Sequence, residues 1–235
     1  MKQIFLIGLI VLPWVANAQL FEGEDYEYNR EIIWGVNKNT NGGLIGGLMF
    51  RFSRTAGDEM YETFGLELSN VKHPDESREF GNQGQGFIYG KSNYLYAIRL
   101  QYGREKLLFK KATQQGVQIS AGASAGPTFG LVNPYYVLEA GGTYAKFDPI
   151  QHPSPETIAG PGKLFQGLGD ANLVPGLNFK ASTLFEFGTY RSNVAGIEMG
   201  VMLETYTKEI ELVPTQPNRA TFTSLFFTLF WGTRK

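Results

Sequence analysis

From Glu31 onward, apolar side chains recur at every second position. A period of two belongs to β-strands, whose side chains point alternately to opposite faces. The pattern predicts eight strands: Ile32–Asn39, Leu44–Ser53, Tyr61–Val71, Tyr94–Tyr102, Val117–Gly126, Leu177–Gly188, Ala195–Tyr206 and Thr221–Gly232. The fifth is the cleanest, with Val117, Ile119, Ala121, Ala123 and Ala125 on one face and Gln118, Ser120, Gly122, Ser124 and Gly126 on the other. It is expected to run on through Phe129 and Leu131 with a bend at Pro127, and 133–140 reads as its far end. Asn41-Gly42-Gly43 is a tight hairpin turn, because Asn and Gly accept positive φ cheaply. Residues 72–90 and 141–176 are aperiodic and read as loops; in the basic link 104–116 the central LLF is open between a strand extension and a helical turn. From the second turn onward short and longer connections alternate, and only the first hairpin is short where its side should be long. The whole of 31–235 is therefore expected to be one domain, an all-β, eight-stranded antiparallel up-and-down barrel.

The composition of the two faces decides which way such a barrel is turned. One face is bulky and apolar: Phe50, Phe52, Phe64, Leu66, Leu68, Tyr96, Ile98, Phe179, Phe185, Phe187, Leu225 and Phe227. An eight-stranded barrel is only just wide enough for side chains to fill, so these rings are expected to face outward into lipid. The other face is small or polar, with Gly35, Gly47, Gly65, Gly122, Gly126, Gly196 and Gly200. It also carries Arg51, Glu67, Arg99, Lys180, Glu186, Glu198 and Glu204, read as a charge-paired lumen network. Trp34, Phe52, Tyr61, Tyr94, Tyr102, Tyr190, Tyr206 and Trp231 lie near strand ends, as interfacial girdles would. The expectation is a transmembrane barrel with a closed lumen and no general porin activity. The rival with the same period is a soluble periplasmic β-barrel or sandwich that binds a ligand.

The N-terminal eighteen residues, MKQIFLIGLIVLPWVANA, have a basic start, a short apolar run and a small-x-small site at Ala16-Asn17-Ala18. Residues 1–18 therefore read as a secretory signal peptide, and 19–30, acidic and tyrosine-rich, as a lead-in. After the leader no run of 18 or more apolar residues follows, so a helical membrane span is not expected. The leader, the hairpin GVNKNTNGGLIGGLMFRFS, the strand VQISAGASAGPTFGL and the closing FTSLFFTLFWGTRK resemble the small outer-membrane β-barrel proteins of the Bacteroidetes type, OmpA/OmpX-like or PorT-like. The resemblance implies the cell outer membrane, with lipid and the barrel-insertion machinery as partners; some such barrels assist protein secretion and gliding, but no particular activity carries over. The expected work is non-enzymatic, the anchoring of surface loops for envelope structure, adhesion, or assembly and secretion. Such barrels usually end on an aromatic residue; here GTRK follows Phe230 and Trp231.

The chain offers little chemistry. Its net charge of -1 gives no electrostatic case for nucleic acid, and it has no Cys. His73 and His152 lie far apart in loops without ligand-spaced companions, so no metal site is expected. Outer-membrane lipid-modifying hydrolases pair a His with a nearby Ser, and His152 and Ser154 are two apart, but in a Pro-rich loop. Gly160-Pro161-Gly162-Lys163 lacks the spacing of a phosphate loop, and the Glu22, Glu24 and Asp25 cluster has no fixed calcium loop. Glu198 and Glu204 are about 20 Å apart by strand rise, too far for a glycosidase pair. No catalytic set and no cofactor are expected, and the work falls to the loops. The second long loop holds Tyr144, Phe147, Ile150, Ile158, Leu164, Phe165, Leu168, Leu173 and Val174, enough apolar surface for a lid over the mouth or for a protein or glycan contact.

Overall fold

The computed structural model describes residues 29–42, 46–74, 76–81, 84–110, 116–163, 166–187 and 192–235. The leader, the lead-in up to residue 28, Gly43, Leu44, Leu164, Phe165 and Tyr190 lie outside the described residues. Eight long strands carry the period-two pattern: β1 Arg30–Asn39, β2 Gly47–Gly57, β3 Met60–Val71, β4 Asn93–Phe109, β5 Gln118–Pro134, β6 Asn172–Phe187, β7 Asn193–Ile210 and β8 Arg219–Arg234. Each pairs antiparallel with the next in the chain. β1 also pairs with β8, with Trp34 opposite Trp231, so the eight strands form a closed ring. No described helix is long and apolar enough to cross a membrane.

Several strands are longer than the pattern predicts, for one physical reason. Phe52, Phe64 and Tyr102 form a row of touching outward rings on β2, β3 and β4. Beyond that row the outward side chains become charged, with Arg54, Glu62, Arg104 and Lys106, while Tyr61, Glu105 and Leu107 still point inward. The alternation continues but stops being apolar against polar. The LLF stretch is thus a strand extension, and β8 likewise absorbs most of GTRK, ending at Arg234. β5 passes Pro127 and stays paired with β6. Its ladder with β4 breaks there, between the pairs Arg99–Thr128 and Tyr102–Ala125. The Asn178 side-chain amide spans the gap, donating to the carbonyl oxygens of Gly126 (3.0 Å) and Pro127 (3.1 Å).

The loops at the end opposite the chain termini are also more ordered than their sequences suggest. Within 72–90, Arg78–Phe80 pairs with Gly86–Ile88. Residues 136–139 are not the far end of β5 but the middle strand of a small sheet with Tyr144–Lys146 and Ile158–Pro161. Phe87, Tyr135, Val137, Phe147 and Ile158 bury together between these pieces, with Ile88, Tyr89 and Tyr94 packed on them. Full burial of rings and aliphatic side chains of this size is worth about 1.5–3 kcal/mol each, so the two loops form one cap with its own core.

Inside the ring the side chains form layers. At the loop end Leu212 and Val213, from the β7–β8 connection, join Val71, Leu95, Val174, Tyr206 and Phe222 in an apolar plug. Charged and polar residues fill the middle. Toward the termini Ile33, Met49, Leu184, Val194 and Phe230 form a second apolar layer. The bulky residues expected to face outward do so, but other rings, Tyr61, Tyr206, Phe222, Phe226 and Phe230, enter the interior. Glycine makes the room: a Cβ on Gly130 would lie 2.6 Å from the Tyr206 ring, and one on Gly196 2.5 Å from the Phe230 ring. Gly196→Val should consequently lower the unfolding free energy by about 1–3 kcal/mol, read as a lower urea midpoint, whereas Ala125→Val, on the exposed face, should change it little.

Candidate functional site

The alternation turns glycine, apolar, neutral polar and charged residues to the inner wall, and the charged ones gather in its middle and toward the termini. All seven residues of the expected network face inward and are buried or nearly so. They form two clusters. In the first, Arg99 Nε donates to Glu204 at 2.6 Å, and its Nη1 lies 3.6 Å from Glu67. Glu67 also accepts from Asn37 (3.1 Å) and Gln101 (3.3 Å). In the second, Glu198 faces Lys180 at 3.1 Å and Arg51 at 3.7 Å and accepts from Ser182 at 2.7 Å. The Lys180 ammonium also sits 4.6 Å from the centroid of the Phe226 ring. Glu186 belongs to neither cluster; it pairs with Arg234 nearer the termini.

Three members of this interior were missed. Glu105 lies 3.6 Å from Arg51, and Glu31 pairs with Arg234 at 2.8 Å. Each sits one to three residues beyond an expected strand end, on the same parity as the inward positions, so carrying the period past the aromatic row would have found all three. The described inward-facing charges then comprise six carboxylates and four cations. A chamber of about 20 Å³ remains beside Arg51, Glu105, Lys180 and Glu198. That is about the room one water needs.

The larger concavity lies at the loop end. A cleft of about 470 Å³ opens between the β1–β2 turn, residues 72–78 and the Gly86–Ile88 strand. Lys72 is half-buried and Arg78 exposed in its lining. Glu76 Oε1 accepts from the Lys91 ammonium at 2.6 Å and from the His73 backbone N–H at 3.0 Å. Lys91 is fully buried. Burial pushes its pKa below the ordinary value, against the pull of Glu76. Elsewhere on the cap, Tyr136 donates to Asp170 at 2.8 Å. That bond and the nearby Lys146 hold Asp170 below the usual carboxylate range.

The two histidines are placed as parts of the cap. His152 is buried; its Nδ1 lies 3.1–3.2 Å from the backbone of Asp148, its Nε2 3.4 Å from Glu139, and its ring is stacked on Phe147. It fastens the 147–152 turn. His73 is buried at the cleft and supplies a backbone donor. Among the described residues no group of three or more His, Asp or Glu could hold a metal ion.

No protein-family model matches the chain, and no curated protein matches it. Among solved structures it is similar to the crystal structure of Neisserial surface protein A (NspA), at 10% sequence identity and a TM-score of 0.40, over 87% of this chain and 94% of that one. A likeness that distant carries no argument about what this chain does.

Proposed function

We propose that the protein is a non-enzymatic outer-membrane β-barrel that anchors a folded loop cap at the cell surface. One observation carries this reading, the inside-out ring. Leu225 is 62% exposed, Phe179 51% and Phe50 48%, whereas Glu67, Glu198 and Glu204 are each 1% exposed. A soluble ring would turn that continuous apolar wall into water, whereas soluble monomers rarely expose contiguous apolar patches above about a few hundred Å². Lipid removes the conflict, and the strands satisfy their backbone within the closed ring. The secretory leader, which lies outside the described residues, fits the same address. The kinship with Bacteroidetes-type barrels stays one of sequence pattern, and it is what brings in the barrel-insertion machinery as a partner. With the interior filled, the cap is the surface left for adhesion, assembly or secretion partners.

The experiment uses Trp34 and Trp231, which are both outward, 52% and 41% exposed, with ring centroids 5.4 Å apart. In brominated-lipid bilayers their fluorescence should be strongly quenched, and unboiled protein should migrate differently from boiled protein in SDS gels. Planar-bilayer recordings should show no large stable conductance, because the lumen is packed. A detergent-independent soluble monomer with unquenched tryptophans would overturn the membrane reading.

A further inference from the structure

The cleft beneath the cap combines three features that together select a ligand class. First, at about 470 Å³ it is of the size that takes small molecules. Second, Glu76, with a side chain only 6% exposed, lines the cleft and has one carboxylate oxygen, Oε2, buried without a hydrogen-bond partner. Its other oxygen is held by Lys91 and His73, so the charge of Glu76 is already met by the ammonium. What Oε2 lacks is a neutral donor, and a buried acceptor is costly until one arrives. Third, Lys72 and Arg78 bring two cations to the lining, while the half-buried Ile88 and Tyr94 give it an apolar wall.

From these we infer that the cleft binds an acidic saccharide, a hydroxyl-rich ring bearing a carboxylate. Once the Glu76 carboxyl turns slightly outward to uncover Oε2, a ring hydroxyl donates to it, the carboxylate meets Lys72 and Arg78, and the C–H face lies on Tyr94 and Ile88. A simple anion satisfies only the cations and would bring its own negative charge toward Glu76. A neutral sugar satisfies only Glu76. The inference rests on the reading of the loops as the exposed working surface of a membrane anchor.

The test uses the full chain in lipid nanodiscs, with glucuronate, glucose and inorganic phosphate as probes in ligand-observed NMR titrations. Glucuronate is expected to bind, glucose about tenfold or more weakly, and phosphate should not displace glucuronate at equal concentration. Lys72→Gln and Arg78→Gln, both outside the buried core of the cap, should each weaken glucuronate about tenfold, the worth of one charge-assisted hydrogen bond. Raising the salt should weaken binding further. Phosphate competing on equal terms would reduce the cleft to an anion site and overturn the inference. So would glucose binding equally well, or indifference to both substitutions. Absence of glucuronate binding to protein that keeps its heat-modifiable band and quenched tryptophans would sink the saccharide site and leave the membrane reading intact. Failure of the membrane reading would show separately, as unquenched tryptophans.

Discussion

Arg99→Met is expected to lower the unfolding free energy by about 3–5 kcal/mol, the cost of leaving buried charge without its partner. Arg99 is 4% exposed and stands between Glu204 and Glu67, both 1% exposed. Methionine keeps much of the volume and removes the one cation within 4 Å of either carboxylate among the described residues, so two buried acids lose their partner. The measurement is urea unfolding in detergent, read as loss of the heat-modifiable band. The triple variant Arg99→Met, Glu67→Gln and Glu204→Gln should regain most of the loss, because removing a whole buried pair is often near neutral. Lys180→Met should cost less, since Glu198 keeps Arg51 and Ser182. An Arg99→Met protein within about 1 kcal/mol of the parent would mean that water or protons, not Arg99, compensate these acids.

The sequence makes the wall of this ring legible because alternation is a local property. Phe50 beside Arg51, and Glu198 beside Met199, declare opposite faces from one residue to the next, and the structure exposes and buries them accordingly. Two things were not legible. The strand ends were hidden where the outward face leaves the apolar belt: Arg104 and Lys106 beside Glu105 give no contrast to read, although the backbone continues its ladder to β3. The cap was hidden for a different reason. Phe87, Tyr135, Val137, Phe147 and Ile158 come from separate segments with no common period, and only their meeting in space makes them a core. The same holds for the cleft, since Glu76 and Lys91 are fifteen residues apart in a stretch whose charges read as ordinary loop solvation. The rings on the inner wall are not legible from the bulk of one face alone, because the room they need is supplied by glycines on neighbouring strands. Gly130 and Gly196, read as small lumen residues or left unassigned, are the spaces into which Tyr206 and Phe230 fit.

Lys91→Met should release the cap from the ring. Lys91 is fully buried, and Glu76, its partner at 2.6 Å, is 6% exposed, so the substitution leaves a buried carboxylate with the His73 N–H and no cation. The loss should be about 3 kcal/mol of cap stability, seen as faster proteolysis within 72–90 and 135–171 while the strands stay protected. Lys91→Met combined with Glu76→Gln should restore most of that resistance, because no charge then remains to be buried. Titration supplies an independent sign. Burial holds the Lys91 pKa below its ordinary 10.5. Between the folded value and 10.5 the unfolded chain therefore binds a proton that the folded chain has released, and stability rises with pH across that window and levels off above it. Comparing parent and Lys91→Met by thermal melting from pH 8 to 11 cancels the titration of groups common to both. The parent should gain on the variant as pH rises. A gap that narrows instead would mean that Glu76 holds the ammonium more strongly than burial opposes it.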